Sequence, residues 1–380
     1  MSNLFDYINE FGSISFDEEM PNDVDNIIFC RLVYLDFSAH IGKTIEKIAQ
    51  ELEENKGTLT KKGERHTRST YKLLFELAGS ERFKGVKIRN FHLEEDDDKK
   101  FSFCAAIFTL NKRLDFVAFR GTDDSVASIS EDIAMSCEFP VTSQIKALQY
   151  INIHYINSKR SLYLAGHSKG GNLALFTFIC ANESIKEKII RVYNNDGPGF
   201  PDSFMDGEIP VELRDKIKIF VPKDCVVGRL LHNFADYTII ESKSFSIQQH
   251  NIFNWETDGR ELKQANEFSV FSDTIAQTLK GGMLCLNSKE LNRIYHIICT
   301  IIERCDIDSK NDINMAFIQK LIALLIEDDK LFSPDLIENI IKSLGKGFLL
   351  YLKRCSHKVK EVTLKDRVYN RRSRRNICKE

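Results

Sequence analysis

The chain has 380 residues, of which 43% are hydrophobic and 28% are charged, and its formal net charge is −2. This balance is typical of a globular protein and excludes a general affinity for nucleic acid or for an anionic membrane. The ten cysteines form no C-x-x-C pair, so we expect no structural zinc site and no other metal or cofactor.

Residues 1–95 are predicted to be mostly helical and to form the N-terminal part of a hydrolase domain. An apolar cluster lies between Asp25 and Ala39, and Thr44 to Leu52 has apolar residues at helical spacing. The charged run from Glu94 to Lys100 is predicted to be an exposed hairpin or linker.

Strands alternate with helices between residues 96 and 258, the predicted core of the domain. Phe101 to Leu110 and Leu114 to Phe119 are β-rich runs, and Gln144 to Asn157 has helical spacing. Four later apolar runs are also predicted strands, namely Ser161 to Ala165, Ile189 to Tyr193, Ile217 to Val221 and Tyr237 to Ile240. The alternation predicts an α/β fold, a mostly parallel sheet covered by helices on both faces.

Beyond residue 258 the pattern is helical alone, which predicts an all-helical C-terminal region over residues 259–380. Ser333-Pro334 has the form of a helix start, with a capping serine before proline. The arginine-rich stretch after Lys365 is predicted to be a solvated tail. Each helix must bury its apolar face, so we expect this region to pack on the rest of the chain or on a second copy and to supply no catalytic group.

Gly166-His167-Ser168-Lys169-Gly170 is the stretch with the most informative chemistry. It lies between a predicted strand and the apolar run Asn172 to Ala181, which is predicted to be a packed helix. A G-x-S-x-G sequence in that context is typical of the nucleophile elbow of α/β-hydrolases, where glycines permit a strained turn. Ser168 is therefore the candidate nucleophile. The alternative is an ordinary glycine-rich turn with a surface serine.

A serine nucleophile needs a histidine as base and an acid that orients the histidine. In this fold the acid and then the histidine follow the serine, each in a loop after a strand. Asp196 and Asp224 both follow predicted strands and are the two candidate acids. His250 follows the last predicted strand and is the candidate base. His232 lies in a predicted helix from Val226 to Phe234, and His167 is expected to point away from the elbow.

The tetrahedral intermediate of acyl transfer also needs an oxyanion hole. One donor is usually the backbone amide after the nucleophile, and another comes from the loop after an earlier strand. Lys169 would supply the first amide. Arg120-Gly121-Thr122, directly after a predicted strand, is well placed for the second.

Taken together, these residues make the chain resemble the lipase class 3 branch of the α/β-hydrolases, and more closely a bacterial lipase-like family of unknown function. Phe119-Arg120-Gly121-Thr122 matches the class 3 oxyanion motif, in which Thr122 gives the backbone donor, and Gly166 to Gly171 matches the elbow. Asp224 falls where these lipases place the triad acid, so the resemblance favours it over Asp196. Gln249-His250 matches the histidine-bearing segment.

The resemblance covers roughly residues 25 to 258 and has one departure from the lipases. Lipases usually carry a tryptophan after F-R-G-T, where this chain has Ser128 to Asp132. Class 3 enzymes keep their lid in that region, so interfacial lipase behaviour does not follow from the resemblance.

The predicted function is therefore a serine hydrolase that cleaves a carboxylic ester, with a lipid-derived ester as one option, through Ser168, His250 and Asp224. Thioester or amide hydrolysis stays open, and the runner-up is a non-catalytic scaffold for protein interaction. The expected partner is a small-molecule ester, while an oligomer through the C-terminal helices is left open. A secretory signal and an apolar run of the roughly 20 residues that span a bilayer are both missing, so we expect a cytoplasmic protein without a stable membrane anchor.

Overall fold

A seven-stranded sheet forms the centre of the computed structural model, which describes residues 2–55, 65–96, 101–122, 131, 135, 139–201, 204, 210–244, 246–283 and 342. The strands lie side by side in the order of the sequence. They are β1 (Lys87–Asp96), β2 (Phe101–Thr109), β3 (Leu114–Phe119), β4 (Ser161–His167), β5 (Ile189–Asn195), β6 (Ile217–Pro222) and β7 (Tyr237–Ile240). Strands β1 to β3 pair antiparallel, and β3 to β7 pair parallel. The predicted α/β fold with a mostly parallel sheet is confirmed.

Helices flank this sheet. Those described before β1 are α1 (Leu4–Phe11), α2 (Asp23–Leu32), α3 (Ile45–Asn55), α4 (Arg65–Ala78) and α5 (Glu81–Lys84). Those described after β3 are α6 (Thr142–Tyr155), α7 (Lys169–Cys180), α8 (Glu183–Lys186), α9 (Val211–Arg214) and α10 (Val270–Met283). A short hairpin of β8 (Thr257–Asp258) and β9 (Glu261–Leu262) precedes α10. None of the described helices combines the length and the apolar character needed to cross a bilayer.

Two hydrophobic cores lie on opposite faces of the sheet because successive strand residues point to opposite sides. Helices α1 to α5 pack on the face that carries Phe116 and Tyr163. Helices α6 and α7 pack on the other face, which carries Val117 and Leu164. The N-terminal helical part is therefore one of the two layers that cover the sheet.

Capping fixes the start of α2, the helix that lies deepest in the first core. The Asn22 side chain accepts hydrogen bonds from the amides of Val24 and Asp25, and the Asp25 carboxylate accepts one from the Asn22 amide. This reciprocal pattern is a capping box, which satisfies amides that have no partner within the helix. All ten residues of α2 are buried.

Two segments differ from the expectation. Lys87–Asp96 is an edge strand, whereas the sequence predicted mostly helix up to residue 95. Its antiparallel pairing with β2 agrees with the hairpin, one of the two alternatives predicted for Glu94 to Lys100. The polar composition of the strand fits an edge because one side of it meets water. Val226 to Phe234 is not a helix beyond the 3₁₀ turn Val227–Arg229. Leu231 adopts a left-handed backbone with φ 63°, which cannot continue a right-handed helix.

The pairing of β4 with β5 contains a one-residue bulge. Leu162 faces Ile189, but the next residue, Tyr163, faces Arg191, so Ile190 is the extra residue. From there the two strands stay in step until His167 faces Asn195. Ser168 and Asp196, which directly follow this last pair, therefore lie at the same end of the sheet, one residue beyond each strand.

The first part of the predicted all-helical C-terminal region packs on the end of the sheet that carries β6 and β7. The amide of Ala265 donates to the Ile239 carbonyl, and the amide of Ser269 donates to the Lys223 carbonyl. The region begins with hairpin and extended chain before α10. The later predicted helices and the arginine-rich tail lie outside the described residues.

Candidate active site

Ser168 occupies a sharp turn between β4 and α7. Its backbone has φ 56° and ψ −131°, a conformation that is strained for any residue with a side chain. The turn brings Gly166 so close to Gly170 that a Cβ on Gly166 would lie 2.0 Å from the carbonyl carbon of Gly170. The backbone therefore has the strand–turn–helix form predicted from the G-x-S-x-G sequence, and the positive end of the α7 dipole lies next to the serine.

His250 forms a hydrogen bond with Asp196. The distance between Nδ1 of His250 and Oδ2 of Asp196 is 2.7 Å, and the Asp196 side chain is fully buried. A carboxylate only accepts hydrogen bonds, so Nδ1 carries the proton and Nε2 of the neutral ring is left as an acceptor. This is the tautomer that a general base needs.

Asp196 lies in the turn after β5, and this turn packs against the elbow. The Ser168 amide donates to the Asn195 carbonyl over 3.0 Å, and a Cβ on Gly197 would lie 2.3 Å from the Ser168 carbonyl oxygen. The second carboxylate oxygen of Asp196 accepts a hydrogen bond of 2.9 Å from the Gly228 amide. The carboxylate is therefore fixed from both sides beside the serine turn.

Asp224 is the acid that the resemblance favoured. It has no hydrogen bond to His250 and instead forms hydrogen bonds with Gln249, the residue before His250. Its Oδ2 accepts a 2.8 Å hydrogen bond from Nε2 of Gln249, and its amide donates to Oε1 of Gln249 over 2.9 Å. Of the two candidate acids, Asp196 is therefore the one in contact with His250, whereas the resemblance favours Asp224. The physical reason is strand order, since β5 lies next to β4 whereas β6, which precedes Asp224, is one strand further away.

Three side chains hold the segment that carries His250. The first is Asp224, through Gln249. The second is Trp255, whose indole Nε1 donates to the Gln249 carbonyl over 2.7 Å. The third is His167, whose Nε2 lies 2.7 Å from the His250 carbonyl oxygen, with the two rings 4.5 Å apart. His167 therefore faces the site rather than pointing away from it, because its ring reaches the neighbouring loop.

Among the described residues, Asp196, Cys225 and His250 form one group with the donor types that bind zinc. The 2.7 Å between His250 and Asp196 is a hydrogen-bond distance, whereas two ligands of one tetrahedral zinc stand about 3.3 Å apart. Burial, and then the nearby charge of Asp196, raise the pKa of the Cys225 thiol, so it stays protonated at neutral pH. The group acts as a hydrogen-bonded cluster.

The loop after β3 lies against the elbow. A Cβ on Gly121 would lie 2.3 Å from the His167 carbonyl oxygen and 3.1 Å from Cβ of Ser168, so only glycine fits there. Thr122 follows directly, and Lys169 begins α7 on the other side of the serine. Both residues proposed as oxyanion donors therefore flank the Ser168 turn.

The Lys169 side chain forms a buried ion pair that the sequence did not predict. Its Nζ lies 3.0 Å from Oε2 of Glu131 and 2.9 Å from the Ser102 carbonyl oxygen, and both charged side chains are almost completely buried. Glu131 also accepts hydrogen bonds from the amide and hydroxyl of Ser143. Glu131 gives no local signal in the sequence, because its partners are distant along the chain.

A family model described as Mbeg1-like matches residues 77–300, which is more than half of the chain. Among solved structures, one titled "Crystal structure of M37 lipase" is similar with 14% sequence identity and a TM-score of 0.33, covering 53% of this chain and 68% of that one. A comparison with curated proteins gave no match.

Proposed function

Since the chain belongs to the Mbeg1-like family, a lipase-like family, and has a serine at a strained strand–helix turn, we propose that it is a serine hydrolase that cleaves a carboxylic ester. The observation that carries the proposal is the 2.7 Å hydrogen bond between His250 and Asp196. Asp196 lies in a turn that packs against Ser168. An ester is favoured over a thioester or an amide by the family alone.

In the proposed reaction Ser168 Oγ attacks the ester carbonyl carbon while Nε2 of His250 takes the hydroxyl proton. Asp196 holds the imidazole and stabilises the imidazolium. The amides of Lys169 and Thr122 donate to the oxyanion. Collapse of the intermediate releases the alcohol, which takes the proton from His250. Water then attacks the acyl-enzyme with His250 as base, which releases the carboxylic acid and restores the serine.

Labelling with a fluorophosphonate tests the nucleophile. The intact chain should form an adduct on the peptide that contains Ser168, as located by mass spectrometry, and should hydrolyse nitrophenyl esters in a panel of increasing acyl length. Ser168→Ala should abolish labelling and lower kcat by more than about 10³-fold, because the residual rate then comes only from binding and the oxyanion hole. Ser161→Ala, at the start of the strand that precedes Ser168, is the matched control and should behave like the intact chain.

Two outcomes contradict the proposal. Labelling at another residue, or substantial ester hydrolysis by a folded Ser168→Ala variant, assigns the chemistry elsewhere. An intact chain that neither labels nor hydrolyses any ester, thioester or amide supports the alternative of a non-catalytic scaffold.

A further inference from the structure

A reciprocal pair of side-chain amides joins α2 to the end of β5. Nδ2 of Asn26 donates to Oδ1 of Asn195 over 2.8 Å, and Nδ2 of Asn195 donates back to Oδ1 of Asn26 over 2.9 Å. The Cys30 thiol lies 3.6 Å from Oδ1 of Asn26, and all three residues are completely buried. Two apolar side chains of the same shape could fill this place at little cost in stability, so stability alone does not account for the pair.

Asn195 also holds the strand that leads to the nucleophile. The second N–H of its Nδ2 donates to the Gly166 carbonyl over 3.0 Å, so both amide protons have an acceptor. Its main-chain carbonyl accepts the 3.0 Å hydrogen bond from the Ser168 amide. One residue of β5 therefore binds the chain on both sides of His167, at the point where the elbow turn begins.

The residues that follow β4 and β5 share an uncommon backbone conformation. Ser168 has φ 56° and Asp196 has φ 54°, both in the left-handed region that residues with a side chain disfavour. Residues keep such a conformation only where the surrounding contacts hold it. Asn195 directly precedes Asp196, and its side chain is bonded to α2 and to β4. The amide pair is therefore a fixed point from which both strained turns start.

Resting on the proposed function, we propose that Asn195 is a positioning residue, which sets the placement of Ser168 relative to Asp196. Asn26 fixes its carboxamide from the side of the helices, and neither amide takes part in proton transfer. Acyl transfer needs the serine and its partners in alignment, and a displacement of about 1 Å can lower the rate about 10²-fold. Directional hydrogen bonds that are fully satisfied fix one arrangement, whereas apolar packing leaves more freedom.

Replacement of both amides separates positioning from stability. Asn195→Val alone leaves Asn26 buried without its partner, so the melting temperature and kcat should both fall. Adding Asn26→Ala turns the pair into an apolar contact of similar total volume, which should restore most of the melting temperature. The hydrogen bond to Gly166 stays lost, so with a nitrophenyl ester that the intact chain hydrolyses, kcat of the double variant should remain about 10²-fold low and KM within about threefold.

Ser80→Ala is the matched control, because it also removes a buried side-chain hydrogen bond, the one from the Ser80 hydroxyl to the Gly12 carbonyl. Its melting temperature should fall while kcat stays unchanged. A double variant whose kcat recovers together with its melting temperature would show that the amide pair is only structural, and this overturns the proposal. A change in KM at unchanged kcat overturns it as well.

The double variant decides by itself if Asn195→Val does not fold. Should neither fold, Asn26→Ala decides: it leaves the Asn195 carboxamide without its partner on α2, so kcat should fall roughly tenfold, and no fall overturns the proposal. If the intact chain hydrolyses nothing, the proposed function fails and this role fails with it. An active chain with a fully active double variant rejects the positioning role alone.

Discussion

Asp196 and Asp224 bring the same functional group to the same edge of the sheet, yet their hydrogen bonds assign them different roles. Asp196 contacts the imidazole of His250 directly, whereas Asp224 holds the side chain of Gln249. In the proposed reaction the first would stabilise charge on His250, and the second would only keep the segment that carries His250 in place. Their variants should therefore differ in both size and kind of effect.

Asp196→Asn should lower kcat by about 10⁴-fold, the loss that the corresponding change causes in serine proteases, where an amide imposes the wrong histidine tautomer. The thermal melting temperature should change little, because asparagine has nearly the same volume. Steady-state kinetics with a nitrophenyl ester and a melting curve check both parts.

Asp224→Asn is the matched comparison at the neighbouring strand end. It weakens only the contact to Gln249, so kcat should fall by no more than roughly tenfold, in line with a lost hydrogen bond of about 1 kcal/mol. The roles of the two acids would have to be exchanged if Asp224→Asn were the more severe change.

For individual residues, the sequence was sufficient to propose some members of the candidate site and insufficient to choose between others. Ser168 and His250 could be proposed because a local motif and a fixed order along the chain point to them. The choice between the acids was made from the resemblance, which favoured Asp224. The residues alone left both acids open, since both follow a strand and only the neighbour relations of the strands separate them.

The elbow helix α7 is anchored by the buried pair of Lys169 and Glu131. The pair and its hydrogen bonds to Ser102 and Ser143 fasten the start of α7 to β2 and α6. A buried charge that loses its partner is costly, because neither water nor a counter-charge then solvates it. The pair should therefore matter more for stability than ion pairs on the surface.

Lys169→Met should lower the free energy of unfolding by about 3–5 kcal/mol, since Glu131 is left buried and uncompensated. Adding Glu131→Gln should restore part of the loss by removing that charge while keeping an acceptor for Ser143. Urea denaturation of both variants measures the effect. Lys84→Met, which breaks an exposed pair with Glu81, is the control; a similar midpoint for the two single variants would contradict the prediction.

Apolar strands and helices with a buried face were predictable from the sequence, whereas a polar edge strand and an apolar loop were not. Strand β1 has a polar sequence because it lies at the edge of the sheet, so its composition resembles that of a loop. Val226 to Phe234 is apolar enough for a helix, but its backbone turns at Leu231 to pair His232 with Phe200. Such pairing depends on contacts that no local pattern contains.

Across the whole molecule, the stretch that follows the hairpin is tied to the loop behind the candidate site. The guanidinium carbon of Arg229 lies 3.9 Å from the centre of the Phe268 ring. A guanidinium nitrogen of Arg229 also forms an ion pair with Oδ1 of Asp273 over 2.5 Å. The Ser272 hydroxyl donates to the Cys225 carbonyl over 2.8 Å. The same loop carries the Gly228 amide that holds Asp196, so these contacts support the acid from behind.

A chain that ends at residue 258 should therefore melt at a lower temperature than one that ends at residue 283, and it should lose ester hydrolysis as the Asp196 turn loosens. The longer chain keeps the contacts of Phe268, Ser272 and Asp273. Melting curves and kcat of the two chains beside the full-length protein check this. Equal melting temperatures would show that residues 259–283 contribute nothing to the stability of the preceding part of the chain.

The bulge at Ile190 determines which side chain lies level with Ser168. In a regular strand with the same sequence, Asn195 would come level with Ser168, and Asp196 would lie one position, about 3.3 Å, further on. Successive residues face opposite sides, so the carboxylate would also turn away from His250. A shift of a single residue would thus put the carboxamide of Asn195 where the Asp196 carboxylate now lies. His250 would then lose its hydrogen bond to a carboxylate, with no change in the sequence.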